Sequence, residues 1–191
     1  MRIFSRSKLA GITIALALIA IMIGKIMSVI MIQANEIFLW GADYYVTRIP
    51  DVELGSWIVW DKRLDDNLDG RIGSNFELCW SKQRHQRLIC RARWLDAMGT
   101  ETQDVKKRLH PTQKPLEAIE FIINNWIDLS QTIVDPYLGS GSTMVACERL
   151  GRVCFGIEID PDYCAVILQR MSDMGLEPRL ESKLVEHGTS D

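Results

Sequence analysis

Apolar residues along the chain fall into three patterns, and each predicts a different kind of element. The first is a nearly unbroken run from Leu9 to Ile32, interrupted by Lys25 and a few small polar residues and preceded by Arg2, Arg6 and Lys8. Its length and basic flank suit a signal anchor or transmembrane helix. Its isoleucines and methionines equally permit a buried helix or a buried strand, and periodicity does not separate these. The second pattern is short. Ile37–Trp40, Ser56–Trp60 and Phe76–Trp80 are rich in aromatic and β-branched residues, are bounded by Gly, Asp, Asn or Pro, and read as strands. Leu64–Ser74, with Asp-Asn and Asp-Gly pairs, reads as a loop. The third pattern has the helical period: Leu116, Ile119, Ile122, Ile123 and Trp126 share one face of a segment that Pro115 opens. Beyond it the chain reads as a strand at Thr132–Asp135, a helix at Met144–Leu150 ended by Gly151, and a second strand at Val153–Ile159. A last helix starts at Asp160 and Pro161 and runs to Met174.

Composition changes this picture little. The 191 residues are enough for one α/β domain with a real core, and 47% hydrophobic with 25% charged residues is ordinary for a globular protein. A net charge of −3 gives no global sign of nucleic-acid binding, so any such contact must come from a local patch. Lys82, Arg84, Arg87, Arg91 and Arg93 form one, with Trp80 and Trp94 at its ends, and Lys106, Lys107 and Arg108 form another. Basic residues between aromatics suit phosphate contact; a solvated strand-and-loop face is the plainer alternative. The five cysteines, Cys79, Cys90, Cys147, Cys154 and Cys164, contain no C-x-x-C pair and read as small buried residues of a reducing compartment, with no metal site.

Strand, glycine-rich turn, helix, strand and acidic end follow one another from Thr132 to Glu158, the order of half a nucleotide-binding α/β unit. Gly139 and Gly141 let the backbone turn tightly and approach a ligand. Glu158 can accept hydrogen bonds from a ribose diol, and Asp135 can face an ammonium group or order water beside it. A glycine turn alone is weak support, but Asp135, Gly139, Gly141 and Glu158 at mutually consistent positions favour an adenosine-type ligand.

At these residues a family resemblance becomes specific. Asp135-Pro-Tyr-Leu-Gly-Ser-Gly-Ser-Thr143 resembles the D-P-F-x-G-S-G-T-T cofactor motif of the DNA adenine and cytosine amino-methyltransferases. His110-Pro-Thr-Gln-Lys-Pro115 resembles the H-P-T-x-K-P motif that precedes it in one circular arrangement of those enzymes, and Gly156-Ile-Glu-Ile-Asp-Pro-Asp-Tyr163 resembles the ribose-side motif. The likeness covers residues 35 to 172 and is strongest to members from phages and restriction-modification systems. It implies a Rossmann-like, three-layer α/β fold and S-adenosylmethionine as cofactor. The substrate it implies is the exocyclic amino group of adenine in DNA. Residue by residue, it implies that Asp135, Pro136, Tyr137, Gly139, Ser140, Gly141 and Thr143 line the cofactor and that Glu158 binds its ribose. His110, Thr112 and Lys114 would close the methionine end; a plain connection leading into the helix is the blander reading of that segment.

The sequence departs from the family at one place. Members in this order carry a D-P-P-Y tetrapeptide before the first of the middle strands, which holds the target amino group and stacks on the flipped base. No such motif precedes Ile37, so the catalytic residues are unassigned and the fold is expected to lack its first strands. Asp135-Pro-Tyr137 leads straight into the glycine turn and belongs to the cofactor; Asp43-Tyr44-Tyr45 has no proline and matches a G-N-Y-F-like stretch of the family. The expected organisation is a hydrophobic segment over 1–34, transmembrane-like or a replaced N-terminus, a methyltransferase domain over 35–175, and a tail over 176–191. Three readings follow: a methyltransferase or a fragment of one, an inactive module that keeps cofactor or DNA affinity, and a membrane-anchored protein with a repurposed fold. The first two place the chain in the cytoplasm, with DNA and S-adenosylmethionine. An anchor through residues 9–32 would put the domain on the other side of the membrane.

Overall fold

The computed structural model describes residues 2–4, 12–17, 33–63, 74–92 and 113–179. Among these residues the strands are β1 (Arg2–Phe4), β2 (Ile12–Ala17), β3 (Glu36–Trp40), β4 (Ser56–Asp61), β5 (Phe76–Ser81), β6 (Ile89–Arg91), β7 (Thr132–Asp135) and β8 (Cys154–Ile157). The helices are α1 (Leu116–Trp126), α2 (Ser142–Arg149) and α3 (Pro161–Asp173), and 3₁₀ turns cover Ala42–Arg48 and Val52–Leu54. The described strands form one eight-stranded sheet in the order β1-β8-β7-β2-β3-β5-β4-β6.

The N-terminal apolar run supplies part of that sheet. β2 lies between β7 and β3 and is parallel to both, with Ala15 opposite Val134 on one side and Ile37 on the other. Strands of parallel sheets read as near-continuous apolar runs rather than polar alternation, which fits the apolar sequence here. Ile12–Ala17 is thus a strand, one of the alternatives of the sequence reading; residues 18–32 lie outside the described residues. No helix among the described residues is long and apolar enough to cross a membrane. The fold therefore has a central strand where the missing motif had suggested a gap.

The remaining elements follow local chemistry. β3, β4 and β5 match the three aromatic runs to within a residue, and β5 is antiparallel to both of its neighbours. Trp40, Trp60 and Trp80 are fully buried. Two of their indole N–H groups reach carbonyls, Trp60 Nε1 donating to Ala92 at 2.8 Å and Trp80 Nε1 to Val52 at 3.0 Å. Satisfying the polar edge lets each ring contribute its full apolar area to the core. α1 begins directly after Pro115 and buries Leu116, Ala118, Ile119, Ile122 and Ile123. α2 starts two residues earlier than its apolar pattern suggested, because Gly141 in the left-handed region turns the chain directly into the helix. The Asp160 side chain caps α3 by accepting from the Asp162 N–H at 2.8 Å.

Residues of α1, α2 and α3 pack in one cluster with Phe38, Trp40, Ile58 and Trp60 on one face of the sheet. Ile37, Leu39 and Trp80 turn to the other face, where Ala42, Ile49, Tyr45 and Tyr137 meet them. All five cysteines are buried free thiols.

Candidate functional site

In an open α/β sheet a ligand gathers outside the carboxyl ends of the parallel strands, where the connections leave in opposite directions. Here that point is the end of β7, flanked by β8 on one side and β2 on the other. Residues 136–141 form the turn that leaves it.

Asp135 is fully buried, and the turn itself engages its carboxylate. Oδ1 accepts from the Tyr137 N–H at 2.9 Å, and Oδ2 accepts from the Thr143 hydroxyl at 2.7 Å. Burial pushes its pKa up to about 6, the two hydrogen bonds oppose that rise, and the nearby negative charge of Glu158 adds to it. Glu158 clamps the turn from the neighbouring strand. Its Oε2 accepts from the Gly139 N–H at 2.6 Å, while Oε1 accepts from the N–H groups of Ile159 at 2.8 Å and Asp160 at 2.9 Å. A third hold comes from α3, where Arg170 donates to the Ser140 carbonyl at 2.8 Å.

Glycine is required at three points of this assembly. Gly139 and Gly141 have φ of 54° and 81°. A side chain at Gly141 would also meet Ile167 at 2.9 Å, and one on Gly156 of β8 would meet Leu138 of the turn at 2.5 Å. The turn therefore packs directly on β8 and brings Gly139 to Glu158.

The structure brings together Asp135, Pro136, Tyr137, Gly139, Ser140, Gly141, Thr143 and Glu158, the contiguous part of the expected site. Pro136, Ser140, Gly141 and Thr143 are buried, and Tyr137, Gly139 and Glu158 are partly open. Lys114 makes its contacts with other residues. Its ammonium is 2.6 Å from Glu77 Oε1 and 5.8 Å from the ring centres of both Trp40 and Trp60, at the carboxyl ends of β3 and β4. His110 and Thr112 lie outside the described residues. Ile159 was not singled out in the sequence. It is 96% exposed beside Glu158 and offers an apolar face at the mouth of the site. An isoleucine directly after an acidic strand end was the signal available for it.

The basic stretch after Trp80 does not form one surface. Lys82 donates to the Ala34 carbonyl at 2.7 Å and Arg84 to the Leu54 carbonyl at 3.3 Å, at the amino ends of β3 and β4 and so at the edge opposite the glycine turn. Trp80 is buried rather than flanking. Arg91 sits at the other edge, 3.9 Å from Asp61. A strand and its turns distribute neighbouring residues between the two ends of the sheet, which charge counting along the chain cannot anticipate. Arg93, Trp94 and Lys106–Arg108 lie outside the described residues.

Fold and site together define an α/β protein of the methyltransferase type. Its architecture matches that of the M1.HpyAVI–SAM complex with a TM-score of 0.62 at 20% identity, over 84% of this chain and 89% of that one. The cytosine-N4-specific PvuII DNA methyltransferase matches with a TM-score of 0.62 at 13% identity, over 87% and 82% of the two chains. Within that class the profile of the DNA methylase family matches residues 59–169, more than half of the chain, and the chain belongs to this family. Among individual relatives it is 36% identical over 73 residues to the type II methyltransferase M.ScaI of Streptomyces caespitosus, covering 38% of this chain and 24% of that protein. It is 39% identical over 75 residues to M2.DpnII of Streptococcus pneumoniae, covering 38% and 28%. The matched stretches thus span less than a third of the length of these relatives.

Proposed function

We propose that the chain binds S-adenosylmethionine at the turn after β7 and presents its methyl group to the exocyclic amino group of a base in DNA, as a site-specific methyltransferase of the restriction-modification or phage type. The observation that carries this is the convergence of the Gly139–Gly141 turn, Glu158 and Ile159 on one strand end. The partly open Glu158 carboxylate suits ribose hydroxyls, and Ile159 suits the face of an adenine ring. The negative charge of Asp135, one turn of chain away, favours a cationic ligand over a neutral one. Pro136, Ser140 and Thr143 hold the shape of the cradle.

S-adenosylmethionine supplies an electrophilic sulfonium methyl. Held at this turn, the cofactor would donate that methyl to the base nitrogen and leave as the neutral thioether, with the amino proton released to solvent. Catalysis of this kind is chiefly orientation. Adenine rather than cytosine, and the roles of His110 and Thr112 at the methionine end, rest on the motif resemblance. DNA and the cofactor place this activity in the cytoplasm.

Calorimetric titration of the full chain with S-adenosylmethionine tests the reading. Saturable binding is expected, weakened at least tenfold by Glu158→Ala. Absence of binding by a folded sample would overturn it.

One observation favours a second reading, a module that binds cofactor without turnover. β2 leaves the sheet beside Asp135, and the sequence that follows, Leu18-Ile-Ala-Ile-Met-Ile-Gly24, has no hydrogen-bonding side chain with which to hold an amino group. Transfer of labelled methyl groups to DNA by the full chain separates the two: turnover supports the enzyme, and cofactor binding without it supports the module.

A further inference from the structure

The glycine turn rests on one side of α3. Cys164, Ile167 and Arg170 follow one another at three-residue steps, so they are neighbours on that side of the helix. Each of them meets the site. The Cys164 thiol donates to the Glu158 carbonyl at 3.7 Å. Ile167 is fully buried against Gly141, where an added side chain would meet it at 2.9 Å. Arg170 reaches the turn itself: Nη1 donates to the carbonyl of buried Ser140 at 2.8 Å and lies 3.5 Å from the Ser142 hydroxyl. The Asp160 cap fixes where α3 starts and therefore which residues face the turn.

The turn thus has two charged anchors of opposite sign, and a ligand treats them differently. Glu158 takes the Gly139 N–H on Oε2, while Oε1 takes the N–H groups of Ile159 and Asp160. A ribose hydroxyl that donates to Oε2 competes with the Gly139 N–H for the same oxygen. Arg170 acts on another group, the Ser140 carbonyl, for which a hydroxyl on Glu158 does not compete. Its hydrogen bond is charge-assisted and so stronger than one between neutral groups. Charge by itself gives no reason for an arginine here, since a cation beside the turn works against a cationic ligand. What the guanidinium contributes is the hold on the backbone.

We propose that Arg170 is a positioning residue for the cofactor: it fixes the Ser140 carbonyl and so keeps the turn in its binding shape while Glu158 exchanges the Gly139 N–H for ribose hydroxyls. The inference rests on the S-adenosylmethionine reading above.

Its test uses the full chain with Arg170→Met and Arg170→Lys. Arg149→Met is the control for loss of one positive charge, because that guanidinium bridges α2 to Glu120 of α1 at 3.3 Å. Calorimetry gives the affinities for S-adenosylmethionine and for its neutral thioether product, S-adenosylhomocysteine, and amide exchange is followed at residues 139–141 and in α1. Arg170→Met is expected to weaken both ligands by the same factor, about tenfold or more, and to speed exchange at 139–141 by as much while α1 is unchanged. Arg170→Lys, which keeps a charged donor, is expected to recover binding to within about threefold of wild type. Arg149→Met should leave both affinities and the exchange of the turn as they are. Unchanged or tighter S-adenosylmethionine binding by Arg170→Met overturns the proposal, as does a loss confined to one of the two ligands. A fall of the same size in Arg170→Lys or Arg149→Met also overturns it. An Arg170→Met chain that exchanges faster throughout, α1 included, overturns it as well, because the residue would then serve the fold rather than the turn. Failure of the folded wild-type chain to bind either ligand would instead overturn the functional reading. Exchange at 139–141 then decides whether Arg170 anchors the turn, and rates unchanged by Arg170→Met count against it.

Discussion

Asp135 shows how a residue legible in the sequence can act otherwise than its charge suggests. The motif marks it as a ligand-facing acid, yet it is fully buried, and both carboxylate oxygens hold the turn through Tyr137 N–H and the Thr143 hydroxyl. Its influence on a ligand is exerted through the shape of the turn and through its charge. With a folded pKa of about 6 against an ordinary value of 3.8, the folded protein keeps a proton that the unfolded chain has released between those two values. Stability therefore falls as pH rises from about 4 to about 6 and levels off above that, by up to about 3 kcal/mol for a shift of this size. Asp135→Asn keeps an acceptor for Tyr137 N–H and a polar partner for Thr143 while removing the charge. It should be more stable than wild type by about 1–3 kcal/mol at pH 8 and no more stable at pH 4. Urea denaturation at the two pH values checks this, and an equal difference at both would refute the assignment. The same variant should bind S-adenosylmethionine more weakly, since the negative charge near a cationic ligand is gone.

At the scale of elements, what the sequence made legible divides along a physical line. β3, β4, β5, α1, β7, β8 and α3 each announce themselves by period, aromatic content or a cap, because each is decided largely by its own residues. β6 was not anticipated; three residues, Ile89–Arg91, are too few to show a period, and they become a strand only by pairing with Val59–Asp61 of β4. The glycine turn was legible because its requirement is local, a left-handed backbone that side chains disfavour. Gly141 at φ 81°, with Ile167 within 2.9 Å of any added Cβ, joins turn to helix. Gly141→Ala is expected to cost about 1–3 kcal/mol from the unfavourable backbone region alone. Cofactor affinity should fall as well, because the start of α2 must shift. Gly175→Ala, also at positive φ but in open space after α3, is the control: it should lose a comparable part of the stability and none of the affinity. Equal affinities for the two variants would mean that the turn is not the cradle. The placement of Lys114 beside Glu77 was beyond sequence reasoning, because it depends on which strand ends the sheet brings to one edge.

The whole molecule depends on a strand whose sequence reads most easily as something else. An apolar run from Leu9 to Ile32 is long enough for a membrane helix, and nothing within it marks six residues as a strand, since strands of parallel sheets read as continuous apolar runs. Only pairing with partners more than 100 residues away in one case distinguishes it, Ala15 with Val134. Among the described strands β2 is what joins β1-β8-β7, which carries the glycine turn, to β3-β5-β4-β6, which carries the tryptophan core. A chain beginning at Asn35 would leave β7 and β3 with unpaired edges facing an empty strand position. Full-length protein is therefore expected to unfold in one cooperative transition, and residues 35–191 to show no comparable transition and no cofactor binding. Ala15→Pro in the full chain, which removes a donor and restricts the backbone in a central strand, should destabilise by about 3 kcal/mol or more. Gln33→Pro, at an exposed position outside the sheet, should be milder. An anchor that folds independently of the domain makes the opposite prediction, because its removal would leave the sheet intact and the two lengths of chain would melt at the same temperature. Comparing their denaturation curves thus decides whether the apolar segment belongs to the methyltransferase fold or is only attached to it.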